Sequence, residues 1–206
     1  DPLKSTLLSF GTIKNPLRLV LHRPFLGTPK TLEVTCQNGE LYACFTIEIF
    51  KDDKIPLMKK GDIQNKIGLD FGIKDHVIDN KGNTYNFLKN KKVEDKISKL
   101  QIDLSRKKWG SNNYHQLLKR INKLKTKQTR KHDNEIHNFT KSIVDNNDAI
   151  AVEDYEVRSI VEKTSSTKSL TNKTKAKINK KALEGGIFSI KSQLKYKSAL
   201  NGKNFK

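Results

Sequence analysis

Two short stretches, Ile67-Gly68-Leu69-Asp70-Phe71 and Ala149-Ile150-Ala151-Val152-Glu153, each read as a strand bearing a carboxylate, and a long run of helical periodicity separates them. Side chains alternate across a strand. Ile67, Leu69 and Phe71 therefore share one face, and Gly68 and Asp70 the other; Ile150 and Val152 point one way, and Ala149, Ala151 and Glu153 the other. A helical crossover between two such strands returns the second parallel to the first, with the usual right-handed connection. Asp70 and Glu153 are then expected to meet at one sheet edge, on faces otherwise lined by glycine and alanine that leave room for cations and a polyanion.

The chain around this frame reads as zones. After Phe71, short apolar stretches broken by Gly72 and by Asn80-Lys81-Gly82 predict a three-stranded meander over residues 67–88. Val93, Ile97, Leu100 and Leu104 recur at helical spacing until Trp109-Gly110-Ser111-Asn112-Asn113 interrupts. A second helix then carries Tyr114, Leu117, Leu118, Ile121 and Leu124, a helical hairpin. The pattern fades and resumes at Ile136, Phe139, Ile143 and Val144, so residues 89–148 form a helical insertion and crossover before the strand zone 149–156. Residues 157–182, rich in Ser, Thr, Lys and Asn, read as a mobile basic loop; Leu183, Ile187, Ile190 and Leu194 mark a final helix over 183–206.

Residues 1–66 alternate with period two. Leu32, Val34, Cys36, Leu41, Ala43, Phe45, Ile47 and Ile49 line one face of a hairpin whose turn is Asn38-Gly39. Leu17 to Leu21 and the turn around Arg23-Pro24 and Gly27 suggest earlier strands, hence a small β-barrel or sheet, and Lys51 to Lys66 reads as a connector. A two-residue turn sets Cys36 opposite Leu41 and Cys44 opposite Glu33, on different faces, so both thiols are expected to stay reduced. Without a paired Cys-x-x-Cys, these residues hold no zinc site.

Charge divides the possible partners. Lysine and arginine outnumber aspartate and glutamate 41 to 22, a net +19 that a polyanion would neutralise. Residues 89–131 carry net +12, residues 132–156 net −6 and residues 157–206 net +11. Basic banks flanking an acidic island suit a phosphodiester-processing enzyme, whose cations need hard oxygen ligands and whose substrate backbone needs neutralising. No apolar run approaches a membrane span, and Asp1-Pro2-Leu3-Lys4 is no secretory signal, so an intracellular, cytoplasmic chain is expected. Asp1 is not expected to be a native N-terminus, and the chain reads as a fragment.

Gly-x-Asp-x-Gly alone is short and common, and leaves Asp70 as a turn residue and Glu153 as a helix-start charge. Five segments in order are more specific: Ile67-Gly-Leu-Asp-Phe-Gly-Ile-Lys-Asp75, the Lys81-Gly-Asn83 turn, Leu104-Ser-Arg-Lys-Lys108, Ile150-Ala-Val-Glu-Asp-Tyr155 and Gln193-Leu-Lys-Tyr-Lys197. Together they resemble TnpB, the insertion-sequence-encoded relative of type V CRISPR effectors. Leu19-Val-Leu-His-Arg-Pro24 and the hairpin after it resemble the latter part of that family's β-rich wedge domain.

The resemblance implies an α/β fold: a β-rich, barrel-like wedge segment and connector over residues 1–66, then a split RuvC-like (RNase H-like) nuclease domain over residues 67–206. It implies an RNA-guided, Mg²⁺-dependent DNA endonuclease that binds guide RNA and target DNA, with Asp70 and Glu153 as the first two catalytic acids and ligands of a two-metal site. Arg23, Arg106, Lys107, Lys108, Lys119, Arg120, Lys123, Arg130, Lys131 and Lys195 are the candidate phosphate contacts. Family members continue past the Tyr196 helix into a zinc module and a third catalytic aspartate, and this sequence has neither. Either the parent protein is longer and cuts, or this is a truncated relative that binds nucleic acid without cutting. Asp154 is discounted as a substitute because neighbours on a strand face opposite ways. An actin-like or Hsp70-like ATPase also opens on Gly-x-Asp-x-Gly, but needs a second phosphate loop and an adenosine motif in a much longer chain.

Overall fold

A computed structural model describes residues 5–8, 15–21, 27–48, 57–72, 75–87, 90–153, 171–176, 179 and 186–206. The chain forms two compact units, Asp1–Lys54 and Ile55–Lys206.

In the first unit, β1 (Ser5–Leu8) pairs antiparallel with β2 (Leu17–Val20), and β3 (Thr28–Gln37) pairs antiparallel with β4 (Glu40–Glu48). The β3–β4 turn is Asn38-Gly39 with φ 56° and 84°, the double positive φ of the hairpin turn that matches strand twist. It sets Cys36 opposite Leu41 and Cys44 opposite Glu33, and both thiols are free and exposed. The expected barrel is not closed: among the described residues each hairpin is its own two-stranded sheet. Burial along the hairpin is also shallower than its alternation implies, since Val34 and Leu41 on the apolar face stay exposed. The Arg23-Pro24 turn and Ile49 lie outside the described residues.

The second unit is built on a five-stranded mixed sheet of order β7-β6-β5-β8-β9. Strands β5 (Lys66–Phe71), β6 (Val77–Asp79) and β7 (Thr84–Tyr85) form the antiparallel meander. Helices α1 (Lys91–Ser105) and α2 (Asn112–Asn146) follow; β8 (Ala149–Val152) then returns parallel to β5. Helix α3 (Ile187–Leu200) precedes β9 (Asn204–Phe205), which pairs parallel with β8. The two residues of β9 are too few for any periodicity to announce them.

One face of the sheet carries the core. Ile67, Leu69 and Phe71 of β5, Val77 of β6 and Ile150 of β8 pack with Ile136, Ile143 and Val144 of α2 and Ile187, Ile190 and Leu194 of α3. Each such side chain taken fully out of water contributes about 1.5–3 kcal/mol. A second cluster, Ile97, Leu100 and Ile121, joins α1 to the first half of α2. Helix α2 therefore runs unbroken for 35 residues, about 50 Å, where the apolar pattern fades. The fading has a cause: the apolar contact with α1 ends at Leu124, beyond which Gln128 reaches α1 through a hydrogen bond to the Asn90 carbonyl, and the contact with the sheet core starts only at Ile136.

Asn90 caps α1, its side chain accepting from the Lys92 and Val93 N–H groups, and the Ser111 side chain accepts from Tyr114 N–H to cap α2. Between α2 and α3, the buried Thr140 hydroxyl bonds Gln193 Oε1 at 2.9 Å, and Lys197 Nζ donates to Thr140 Oγ1 at 2.7 Å and to the His137 carbonyl at 2.9 Å. Partial burial lowers the Lys197 pKa.

The segment read as a connector is held to this unit from residue 57 onward. Met58 N–H donates to the Gly202 carbonyl, and Gln64 and Asn65 N–H groups donate to the Asp148 carboxylate. Of residues 157–182, read as a mobile loop, residues 172–176 are helical, while residues 157–170, 177, 178 and 180–182 fall outside the described residues, as does Leu183 of the final helix.

Candidate active site

Asp70 is the fifth residue of β5, and Glu153 follows the last residue of β8. The parallel register pairs Lys66 with Ala149, Ile67 with Ile150, Gly68 with Ala151 and Leu69 with Val152. One step further it brings Asp70 level with Glu153, and Glu153 N–H donates to the Leu69 carbonyl at 3.1 Å, extending the ladder. The two carboxyl groups lie within hydrogen-bonding reach, and both residues are exposed. The pKa of Glu153 is raised, first by its hydrogen bond with Asp70, then by lost hydration and by the Asp70 charge. Two like charges on adjoining strands favour a shared proton or a cation between them.

Helices α2 and α3 cover the opposite face of the sheet, so the acids stand on its open side. Small neighbours keep it open. A methyl group built on Gly68 would reach only the Asn80 Cβ, at an ordinary 3.8 Å, while Ala151 is exposed. Gly72, the second glycine of the motif, is needed for a different reason. A methyl there would lie 2.6 Å from the Asp75 carbonyl, where the chain folds back into β6. Among the described residues no group of three or more His, Cys, Asp or Glu is placed to hold a metal ion, so Asp70 and Glu153 stand as a pair. Asp154 lies outside the described residues.

Two further carboxylates that carry no motif in the sequence are held by hydrogen bonds within this sheet. Asp148 accepts from Asn65 N–H at 3.0 Å, from Gln64 N–H at 3.2 Å and from Lys203 Nζ at 2.9 Å, joining the starts of β5 and β8 to the approach to β9. The Lys203 ammonium and the two N–H groups hold its pKa down at about 2. Asp79 is buried at the β6–β7 turn and accepts from Lys81 N–H, Asn83 N–H, Asn83 Nδ2 and Tyr85 Oη, which lowers its pKa. An aspartate bonding the backbone two residues on is a signature of such turns.

The basic candidates fall in separate places. Arg106, Lys107 and Lys108 sit where α1 gives way to α2, and all three are exposed. At 100° per residue, Lys119, Arg120, Lys123, Arg130 and Lys131 occupy about one third of the circumference of α2 and are all exposed; Lys119, Lys123 and Arg130 lie on the side away from Leu117, Ile121 and Leu124, while Arg120 and Lys131 border Leu117 and Leu124 at the edge of that sector. Lys107 and Arg120 line one cavity together; Lys131 pairs with Glu135 at 3.8 Å. Lys195 is exposed on α3, whereas its neighbour Lys197 is spent on the Thr140 contact. Arg23 lies outside the described residues.

Residues 47–164, which contain both acids and the whole helical hairpin, match the OrfB_IS605 family, described as "Probable transposase". The chain belongs to the OrfB_IS605 family. It is 25% identical over 187 residues to "Putative RNA-guided DNA endonuclease InsQ" of Escherichia coli strain K12, a match covering 87% of this chain and 44% of that protein. The chain thus spans less than half the length of this curated relative. No helix among its described residues is long and apolar enough to cross a membrane.

Proposed function

We propose that the protein acts as an RNA-guided, Mg²⁺-dependent DNA endonuclease of the TnpB type, in which the second unit is a RuvC-like (RNase H-like) nuclease domain and Asp70 and Glu153 are its first two catalytic acids. The reading is carried by one observation: two carboxyl groups in hydrogen-bonding reach of each other on the open side of a parallel strand pair. Family membership and the endonuclease named among its relatives support it.

The donor set fits the cation. Mg²⁺ takes hard oxygen ligands and keeps several waters, and an exposed carboxylate pair offers the first without obstructing the second. A cation held by Asp70 and Glu153 would also offset the Asp70 charge, which adds to the Asp70 hydrogen bond and the lost hydration in raising the Glu153 pKa. When bound, Mg²⁺ supplies Lewis-acid stabilisation of the charge that develops on the phosphate being cut. Asp70 and Glu153 hold and orient, Gly68 and Ala151 leave the phosphodiester backbone its space, and the basic sector of α2 neutralises phosphates nearby in the chain. Two carboxylates hold two Mg²⁺ poorly, so the reading calls for a further acid, which the TnpB resemblance assigns to a segment after the α3 helix in longer relatives. A zinc module belongs to that same segment.

Guide RNA and target DNA are the partners this reading implies, and the cytoplasm is its place of action. Backbone contacts can hold an A-form heteroduplex while base pairing reads sequence. The test is cleavage of DNA complementary to a bound RNA by the full-length protein. Cutting is expected in Mg²⁺ and not in chelator, and Asp70→Asn or Glu153→Gln is expected to abolish it while RNA binding persists. Undiminished cutting by either variant overturns the assignment. Salt-sensitive binding with no cutting in any divalent metal leaves a nucleic-acid-binding protein only.

A further inference from the structure

Helices α1 and α2 are joined by a turn that holds a large aromatic side chain out in water. Ser111 N–H donates to the Lys108 carbonyl at 3.2 Å, closing the four residues Lys108-Trp109-Gly110-Ser111. Gly110 has φ 76°, the conformation that places glycine third in turns of this kind. On one side Lys107 N–H donates to the Leu104 carbonyl at 3.0 Å, and on the other the Ser111 hydroxyl caps α2. The backbone is thus pinned on both sides of Trp109, whose residue surface is 83% exposed. A fixed turn presenting an indole to solvent keeps both ring faces open at little entropic cost to whatever binds.

The surroundings select an anion. From Leu104 to His132 the chain has ten lysines and arginines and no aspartate or glutamate. Beside the turn lies a cavity of about 370 Å³ lined by Lys107, Asn113, Gln116, Leu117 and Arg120, two cations with two side-chain amides. Aromatic face, cationic walls and absent acids together match single-stranded nucleic acid better than an apolar protein partner, because every base offers a ring face and every nucleotide a phosphate.

We propose that the α1–α2 turn is a binding site for an unpaired nucleotide, whose base stacks on Trp109 while Lys107 and Arg120 hold the adjoining phosphates. This rests on the nucleic-acid reading above and deepens it: the turn distinguishes unpaired from paired strands, since bases inside a duplex have both faces occupied by their neighbours.

Trp109 is the only tryptophan in the chain, so its own fluorescence reports the contact. The probes are fluorescein-labelled single strands of RNA and DNA of roughly 12 nucleotides, and the matching duplex, titrated against the whole chain. Anisotropy gives affinity, and tryptophan emission with unlabelled strands gives stacking. Single strands are expected to quench the emission. Trp109→Ala is expected to bind them roughly 5- to 100-fold more weakly, with Trp109→Phe retaining most of the affinity and duplex binding unchanged in both. Lys107→Ala and Arg120→Ala are expected to weaken single strand and duplex alike and to reduce the salt slope by about one each. Single strands that bind without quenching, or that bind Trp109→Ala as tightly as the unaltered chain, overturn the stacking site while nucleic-acid binding stands, and leave the indole to a protein partner. Failure of the unaltered chain to bind either probe overturns the stacking site and the nucleic-acid reading together.

Discussion

The Asp148 carboxylate accepts the backbone N–H of Asn65, and both catalytic candidates lie five residues further along their strands from that bond. A register that starts with Asn65 beside Asp148 ends with Asp70 beside Glu153. The clamp and the acid pair stand at opposite ends of the same two strands, so the contact that aligns them takes no part in their chemistry.

Asp148 makes stability depend on acid in a specific window. Its folded pKa is about 2, below the ordinary 3.8, so its contribution is present above the ordinary value and lost as pH falls through the folded one. Asp148→Ala is expected to lower the urea midpoint at neutral pH, and the gap between variant and unaltered chain is expected to close between about pH 4 and pH 2. Urea titrations across that range check it; a gap independent of pH contradicts the clamp.

Glu153 works in the opposite sense. Its folded pKa is raised, so the stability it contributes is present below its ordinary value of 4.5 and lost as pH rises through the folded value. At neutral pH without divalent cations, Asp70→Asn is therefore expected to be at least as stable as the unaltered chain. Adding Mg²⁺ is expected to raise the thermal midpoint of the unaltered chain and not that of Asp70→Asn or Glu153→Gln. Melting curves with Mg²⁺ and with chelator decide the matter.

The two glycines of Gly-x-Asp-x-Gly are expected to respond differently to alanine. Gly72→Ala forces a methyl against the Asp75 carbonyl and is expected to cost about 1–3 kcal/mol. Gly68→Ala meets only an ordinary contact with Asn80 and is expected to fold nearly as well, yet to impair cleavage by crowding the open face beside Asp70. Chemical denaturation paired with a cleavage assay separates the two effects.

Thr140 joins α2 to α3 from a fully buried position. Thr140→Val keeps the shape but leaves the Gln193 and Lys197 side chains short of a partner, an expected loss of about 1–3 kcal/mol. Leu194→Ala, which empties the neighbouring core position, is expected to cost about 2–5 kcal/mol. Urea midpoints measured for both check the order.

Much of the placement of Asp70 and Glu153 is legible in the sequence. The alternation in Ile67–Phe71 and Ala149–Glu153 assigns the acids to the small-residue faces, and the helical run between them implies a crossover and a parallel return. Asn38-Gly39 specifies its hairpin turn and, through it, the separation of the two thiols. These are local matters: strand period, turn φ and crossover length are written in neighbouring residues. Tertiary structure alone decided that α2 is continuous between its two cores, that residues 57–66 belong with the sheet, that a two-residue strand closes its far edge, and that Asp148 and Lys197 serve as internal fasteners. Each depends on a partner dozens of residues away, and a polar side chain met in sequence looks the same whether it faces water or a distant backbone N–H.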